Sequence, residues 1–244
     1  MPEGFDWSLI LVYARVQAAL LVIPGVGERV VPARVKVALA LALTPLLAAQ
    51  VGARAMPGTP LALVGQVGAE TVLGLATGMM LRLLALAIDI ATTAIAATAS
   101  LSQIMGVQNE AAPHPIGNML HLGGIAILMA LGLPVMLVQL LADSLALWPP
   151  ASFPRVEGLA MAVIGIVSDC FRLALMLAAP FTLGGFLYQA LSGVVSRVMP
   201  SLPVVFIGAP ASIMLALVAL AVLAPMLVAL WADAVLGFML PVRG

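Results

Sequence analysis

Charged residues are scarce in this 244-residue chain, and that scarcity excludes most classes of soluble protein. Asp, Glu, Lys and Arg make up 8% of the residues, against about 25% in a soluble domain. The ten basic and ten acidic residues cancel, so no positive excess points to a nucleic-acid partner. A single cysteine excludes a disulfide scaffold and a metal site built from clustered cysteines.

Apolar residues take the place of charge: they form 64% of the chain and give a mean hydropathy of +1.21. A helix crosses the bilayer core with about 20 apolar residues. Proline, glycine and polar residues divide the chain into hydrophobic segments at 7–24, 35–51, 61–105, 116–147, 156–198 and 204–240. We therefore predict an all-α integral membrane protein with about six long, kinked hydrophobic helices. The N-terminus lacks the basic region of a secretory signal, so segment 7–24 is expected to be the first helix of the mature protein.

Two central segments, 61–105 and 116–147, are too long for one straight crossing and must bend or end early. Bends in the second of them are predicted at Gly123-Gly124 and at Pro134. Further kinks are predicted at the prolines inside the last two segments, which are Pro180, Pro210 and Pro225.

Four residues spaced four apart, Glu70, Gly74, Gly78 and Arg82, share one helix face, which Asp89 continues two turns on. The two glycines allow another helix backbone to approach closely, and the charged ends are polar anchors. Three interpretations remain open for this face. It packs helices within one subunit, it forms a subunit contact in an assembly, or it carries ions or protons.

Other charges also lie in apolar runs. Asp169 and Arg172, at positions i and i+3, are predicted to neutralise each other on one helix, with a substrate contact as the alternative. Arg15, Asp143 and Asp233 stand alone and need partners from other helices. Such charges indicate a packed helical assembly rather than isolated spans that face lipid.

The most polar interior stretch, 103–115, is a predicted loop that holds Glu110 and His114, with His121 close behind. Two histidines and a glutamate suit a metal, but Pro113 and Pro115 break the helix that would align them. No catalytic triad, metalloprotease motif or nucleotide-binding loop is present in a fitting context. We therefore predict no metal, no cofactor and no enzymatic activity.

The order of these landmarks resembles the FliR family, the membrane proteins of the flagellar type III export apparatus, which includes injectisome counterparts. The N-terminal similarity runs from Arg15 to Pro24-Gly25 and then through Val31-Pro32-Ala33-Arg34. The segment from Glu70 to Arg82 is similar to a Glu/Gly/Gly/Arg segment of the family. In the C-terminal hairpin the family-like residues, in order, are Arg197, Pro200, Phe206, Gly208 and Pro210. The chain departs from many relatives at Pro203, where they have Asn, and at Ser212, where they have Lys.

The resemblance implies an export-gate subunit built from kinked hairpins, with a FliP-like part over residues 1–150 and a FliQ-like C-terminal hairpin over 151–244. It implies FliP-like and FliQ-like membrane partners, a neighbouring FlhB-like membrane protein, unfolded export substrates, and the inner membrane at the flagellar basal body. The predicted helix-packing and assembly residues are Glu70, Gly74, Gly78, Arg82, Asp89, Asp169, Arg172, Arg197, Pro200, Phe206 and Pro210. The loop 103–115 would project into the pore as a plug, with candidate residues Gln103, Met105, Gly106, Gln108, Asn109 and Glu110.

The sequence thus predicts a non-enzymatic gate subunit that passes unfolded proteins across the inner membrane, with the loop closing the resting pore. A proton gradient and a separate cytosolic ATPase would supply the energy. Three alternatives remain open: the equivalent injectisome subunit, a structural scaffold of the basal body, and a proton-coupled small-solute transporter that uses Glu70, Arg82 and Asp89.

Overall fold

The computed structural model describes residues 6–98, 115–153, 156–199 and 204–240, and the regular structure within these ranges is entirely helical. The predicted all-α class is therefore confirmed. The helices are α1 (Trp7–Val22), α2 (Ala33–Ala48), α3 (Pro60–Ala85), α4 (Ala87–Thr98), α5 (Pro115–Ala130), α6 (Leu133–Leu147), α7 (Val156–Val198) and α8 (Val204–Leu236).

The number of candidate membrane spans is smaller than the six predicted hydrophobic helices. Within the described ranges, three helices are long and apolar enough to cross a membrane, and a bent pair gives a fourth if it counts as one span. The first is Pro60–Ile95, which takes α3 and most of α4 together, and the others are Gly158–Val198 in α7 and Met214–Leu236 in α8. The bent pair is Gly117–Ala130 in α5 with Leu133–Leu147, which is α6. The count falls because α1 and α2 have 16 residues each, fewer than the about 20 that a span needs.

The predicted bends are partly correct. Segment 61–105 breaks at Leu86, between α3 and α4, and segment 116–147 bends by 76° between α5 and α6. The second break falls at Gly132, whose φ of 105° few other residues adopt. Pro134 follows in the first turn of α6, where its missing N–H costs nothing. Gly123 and Gly124, the other predicted position, lie inside α5, so the helix does not end there.

Prolines do not end the last two helices. α7 continues through Pro180, and α8 continues through Pro210 and Pro225. A helix loses one hydrogen bond at an internal proline, and in apolar surroundings the neighbouring turns still satisfy the remaining backbone groups.

The chain forms two compact units. The first comprises Met1–Ala85, Ile125–Ser168 and Val235–Gly244, and the second comprises Leu86–Gly124 and Asp169–Ala234. The sequence predicts a FliP-like part over residues 1–150 and a FliQ-like hairpin over 151–244. That division concerns likeness to other export proteins rather than compactness, so it stays a prediction.

In the first unit, α1 packs against α3 and α2. The residues Leu11, Val12 and Val16 of α1 are fully buried. Asp6 caps α1 by accepting a hydrogen bond from the backbone N–H of Ser8 at 2.9 Å. The same carboxylate oxygen accepts a second one, at 3.1 Å, from the backbone N–H of Arg54 in the connector before α3. Hydrogen bonds from Ser8, and then from the backbone of Arg54, lower the pKa of Asp6 from its ordinary value. The start of α1 is therefore tied to the connector that precedes α3.

In the second unit, the indole of Trp231 from α8 is buried against Gly124 of α5. A Cβ atom built on Gly124 would lie 2.8 Å from Trp231 Cζ3. The absence of a side chain at Gly124 thus lets the large ring lie directly on the helix backbone. On α7, the buried side is formed by apolar residues that include Leu173, Leu177 and Phe181.

Candidate functional site: the polar residues of the apolar helices

A buried ion pair joins α1 to α3. Arg15 Nε donates to Glu70 Oε2 at 2.6 Å, and both side chains have no exposed surface. The sequence analysis predicted that Arg15 needs a partner from another helix, and Glu70 is that partner. Two isolated charges in an apolar interior would be costly, whereas a hydrogen-bonded pair offsets much of the desolvation of each.

Backbone groups far along the chain add further hydrogen bonds to this pair. Arg15 Nη1 donates to the carbonyl oxygen of Ser144 at 2.8 Å, and the backbone N–H of Ala151 donates to Glu70 Oε1 at 2.9 Å. The hydroxyl oxygens of Ser144 and Thr77 lie 3.1 Å apart. Ala151 has a φ of 63°, a left-handed conformation that is uncommon without glycine. Ser144 and Ala151 could not be identified from the sequence, because no residue pattern marks a backbone hydrogen-bonding group. Thr77 contributes its hydroxyl, and nothing in its local sequence distinguishes it from other threonines.

Both glycines of the Glu70–Arg82 face contact α1. A Cβ on Gly74 would overlap the carbonyl oxygen of Arg15, and one on Gly78 would lie 2.6 Å from Val22 Cγ2. The two glycines are buried and give the close helix approach that their spacing predicts. The approach takes place within the chain, as in the first of the three interpretations.

Arg82, at the end of the same face, contacts the connector between α1 and α2. Its Nη1 donates to the carbonyl oxygen of Val22 at 3.2 Å and to Glu28 Oε1 at 3.3 Å. These side chains are partly exposed, at 28% for Arg82 and 18% for Glu28. Lys36 of α2 also contacts this connector, since its Nζ donates to the carbonyl oxygen of Gly27 at 2.9 Å. Glu70 and Arg82 therefore both have intramolecular partners.

Asp89 pairs with a histidine in the second unit. Its carboxylate oxygens lie 3.0 Å and 3.1 Å from Nδ1 of His121, joining α4 to α5. Both side chains are partly exposed. The sequence analysis considered His121 only as a metal ligand. Among the described residues no group of three metal-ligating side chains is present, and Glu110 and His114 lie outside them.

The remaining charged candidates are exposed. Asp169 and Arg172 on α7 are both exposed, and no ion pair joins them, so the predicted mutual neutralisation is not formed in the described chain. Asp143, Asp233 and Arg197 are exposed as well. Packing within the described chain does not explain why these charges lie exposed on apolar helices.

Several predicted residues fall outside what the structure describes. The plug candidates Gln103, Met105, Gly106, Gln108, Asn109 and Glu110 belong to the range 99–114, and Pro200 lies in the range 200–203. Phe206 and Pro210 lie in the first turns of α8, where only the backbone is described. The plug therefore stays a prediction.

The transporter alternative required Glu70, Arg82 and Asp89 to serve as a substrate or ion site. The structure gives each of them a protein partner instead: Arg15 and Ala151 for Glu70, Glu28 for Arg82, and His121 for Asp89. Neither carboxylate oxygen of Glu70 is left without a hydrogen bond. No observation on these residues favours solute binding.

Comparison with known proteins agrees with the resemblance seen in the sequence. The family described as "Bacterial export proteins, family 1" matches residues 7–237. A relative from Caulobacter vibrioides, "Flagellar biosynthetic protein FliR", is 29% identical over 229 residues, which cover 91% of this chain and 90% of the relative. The match includes both units and all eight described helices. The chain therefore belongs to bacterial export protein family 1, and its assignment to the FliR family is confirmed.

Proposed function

We propose that the chain is a subunit of the type III protein export gate at the base of the bacterial flagellum, where it forms part of the pore for unfolded proteins. The observation that carries this proposal is the family match across residues 7–237, with a flagellar relative aligned over 91% of the chain. The flagellar relative favours the flagellar system over the injectisome. The family's description names export, and the proposed role is accordingly non-enzymatic.

The exposure of the long helices supports an assembly with other membrane subunits. In an 18-residue apolar stretch of Gly158–Val198 only 22% is buried within the chain, and in the corresponding stretch of Met214–Leu236 only 6%. Lipid can cover apolar surface, but it penalises charges such as Asp143 and Asp233 unless they reach water or a polar partner. FliP-like and FliQ-like subunits, with an FlhB-like protein beside them, would supply that cover in the inner membrane.

Loop 103–115 is the proposed plug of the resting pore. A channel wide enough for a polypeptide leaks ions unless something closes it, and this loop is the most polar interior stretch of the sequence. Met105 within this loop has a flexible, deformable thioether, a suitable element for a seal that must yield to substrate.

Purification tests the assembly. The affinity-tagged chain, extracted from its own cells in mild detergent, is expected to bring down two other small membrane proteins, of FliP and FliQ type, in a stable complex. Subunit counting by native mass spectrometry then gives the stoichiometry. A chain that purifies alone, under conditions that preserve other membrane complexes, would contradict the proposal.

Deletion of loop 103–115 tests the plug. In cells that lack the native chain, the deletion is expected to raise ion leak across the inner membrane while the complex still assembles. The control is a glycine-serine replacement of the exposed connector 55–58, which should leave leak and export unchanged. Normal export with no added leak in the deleted chain would refute the plug while leaving the gate assignment intact.

A further inference from the structure

The connector between α6 and α7 contains a tight turn at residues 149–152. The backbone N–H of Ser152 donates to the carbonyl oxygen of Pro149 at 3.1 Å, which closes a β-turn. Pro150, the second residue of the turn, has a φ of about −65° because its ring fixes that angle. Ala151, the third residue, has a φ of 63°. A negative φ followed by a positive φ is the pattern of a type II turn.

This form of the turn is the one that its own sequence disfavours. Proline in the second position suits type I and type II turns alike, whereas the third position of a type II turn favours glycine or asparagine. Alanine is strained there, because its Cβ crowds the backbone in a left-handed conformation. The local sequence favours a type I turn, in which Ala151 would have a φ of about −90°. A group outside the turn must therefore select the observed form.

The Glu70 carboxylate is the group that meets the rotated peptide. The two turn types differ by rotation of the peptide between the second and third residues through about half a turn. In the observed form the N–H of Ala151 donates to Glu70 Oε1 at 2.9 Å. In a type I turn the same peptide would aim the carbonyl oxygen of Pro150 at the carboxylate instead, and two acceptors would then face each other. The carboxylate cannot turn away freely, because its other oxygen accepts from Arg15 and the side chain has no exposed surface.

The rest of the connector also lies against the first unit. Pro150 and the hydroxyl oxygen of Ser152 are buried. A Cβ on Gly65 of α3 would lie 4.0 Å from Cζ of Phe153. Among the described hydrogen bonds of the connector, the one from Ala151 is the one that reaches α3. This bond is therefore well placed to decide how the connector is held.

We propose that Glu70 is a latch that holds the turn at residues 149–152 in its strained form. Its carboxylate selects the type II turn through the N–H of Ala151. Without the carboxylate, the peptide rotates back to the type I form that the local sequence favours. Because the same carboxylate binds Arg15, the contact between α1 and α3 and the state of the turn before α7 change together. The latch lies within the first unit and does not depend on the proposed function.

Glycine at position 151 tests the latch, because it adopts a positive φ without strain. Ala151→Gly is made in the unaltered chain and in Arg15→Leu/Glu70→Leu, which lacks the latch. In the unaltered chain it should raise the melting temperature of the purified protein by about 2–4 °C. In the latch-free chain the turn is already relaxed, so the same change should leave the melting temperature unchanged or lower it. If the latch-free chain does not fold, Arg15→Met/Glu70→Met takes its place, since methionine adapts to irregular space.

The matched control is Ala53→Gly. Ala53 is exposed in the connector before α3, and Ala151 is the one non-glycine residue with a positive φ in the described chain. Glycine at position 53 relieves no strain and adds freedom to the unfolded chain. It should therefore raise the melting temperature in neither background.

Hydrogen exchange resolved to single amides follows the turn directly. In the latch-free chain the Ala151 amide should exchange about tenfold faster or more, because its acceptor is gone. The Ser152 amide should change less than about twofold, because both turn types keep its bond to Pro149.

An equal gain from Ala151→Gly in both chains would overturn the latch, because the rest of the chain would then impose the strain. No gain in the unaltered chain would overturn it as well, since the turn would then not be strained. So would an Ala151 amide that exchanges at the same rate with and without the carboxylate.

Discussion

Arg15 Nε lies 2.6 Å from Glu70 Oε2, although 55 residues separate the two in sequence, and both side chains are fully buried. The same pair holds the backbone of Ser144 at the end of α6 and of Ala151 in the connector that leads to α7. One ion pair therefore fixes α1, α3 and the end of α6 relative to one another. The hydrogen bonds of the pair to each other and to these backbone groups explain why the chain tolerates two fully buried charges.

Removal of both members of this pair should cost less than the two single removals added together. Arg15→Leu leaves the Glu70 carboxylate buried without its cation, and the expected loss in free energy of unfolding is about 3–5 kcal/mol. In the double variant Arg15→Leu/Glu70→Leu no charge stays buried, so the loss should be smaller than the sum of the two single losses. Unfolding of the purified chain in mixed detergent micelles measures all four forms of the cycle.

The matched control for that cycle is Arg82→Leu with Glu28→Leu. This pair is partly exposed and its nitrogen–oxygen distance is 3.3 Å, so each single change should cost about 1 kcal/mol or less. Equal losses for the two pairs, or strictly additive losses at Arg15 and Glu70, would contradict the assigned role of the buried pair.

A methyl group at Gly74 should destabilise the first unit. Gly74→Ala places a Cβ against the backbone carbonyl of Arg15, which cannot move aside as a side chain does. The expected loss is about 1–3 kcal/mol from overpacking, despite the better helix propensity of alanine. Gly68→Ala in the same helix is the control, since no described atom lies within 4 Å of its Cβ. It should be neutral or stabilising, and thermal melting of both variants shows whether the difference has this sign.

Two adjacent glycines of α5 should behave differently. The Cβ of Gly124→Ala would lie 2.8 Å from the buried ring of Trp231, whereas no described atom lies within 4 Å of a Cβ at Gly123. We expect Gly124→Ala to lower the melting temperature and to alter the tryptophan fluorescence, and Gly123→Ala to do neither. A fluorescence change of equal size in both variants would argue against the contact between Gly124 and the indole.

Much of the architecture follows from local sequence. Apolar composition predicts helices in a membrane, the breakers near Pro24 and Pro150 mark element ends, and the spacing of Glu70, Gly74, Gly78 and Arg82 predicts a close helix contact. These inferences succeed because helix periodicity and backbone freedom are local properties. The bend between α5 and α6 was placed less well. Of the two predicted positions, Pro134 adjoins the break at Gly132, whereas Gly123 and Gly124 stay within α5, where Gly124 packs directly against Trp231.

The sequence could not show which groups the buried charges pair with. Arg15 and Glu70 were each recognisable as charges that need a partner, yet nothing local indicated that they would find each other. The acceptor at Ser144 and the donor at Ala151 are backbone groups that every residue has, so no residue type indicates them. For Asp169 and Arg172 the local rule gave a pairing that the structure does not form, because both side chains extend outward instead.

The sequence by itself determined that this chain is helical, that it belongs with a membrane, and which face of α3 another helix approaches. Apolar composition decides whether a helix lies in lipid or in water, and residue spacing decides which side chains share a helix face. Neither property depends on distant parts of the chain. Only the tertiary structure decided that α1 is the approaching helix, that Glu70 neutralises Arg15, and that Asp169 and Arg172 stay exposed. Those outcomes depend on which distant segments come together, and that is set by packing of the whole chain rather than by any one stretch of it.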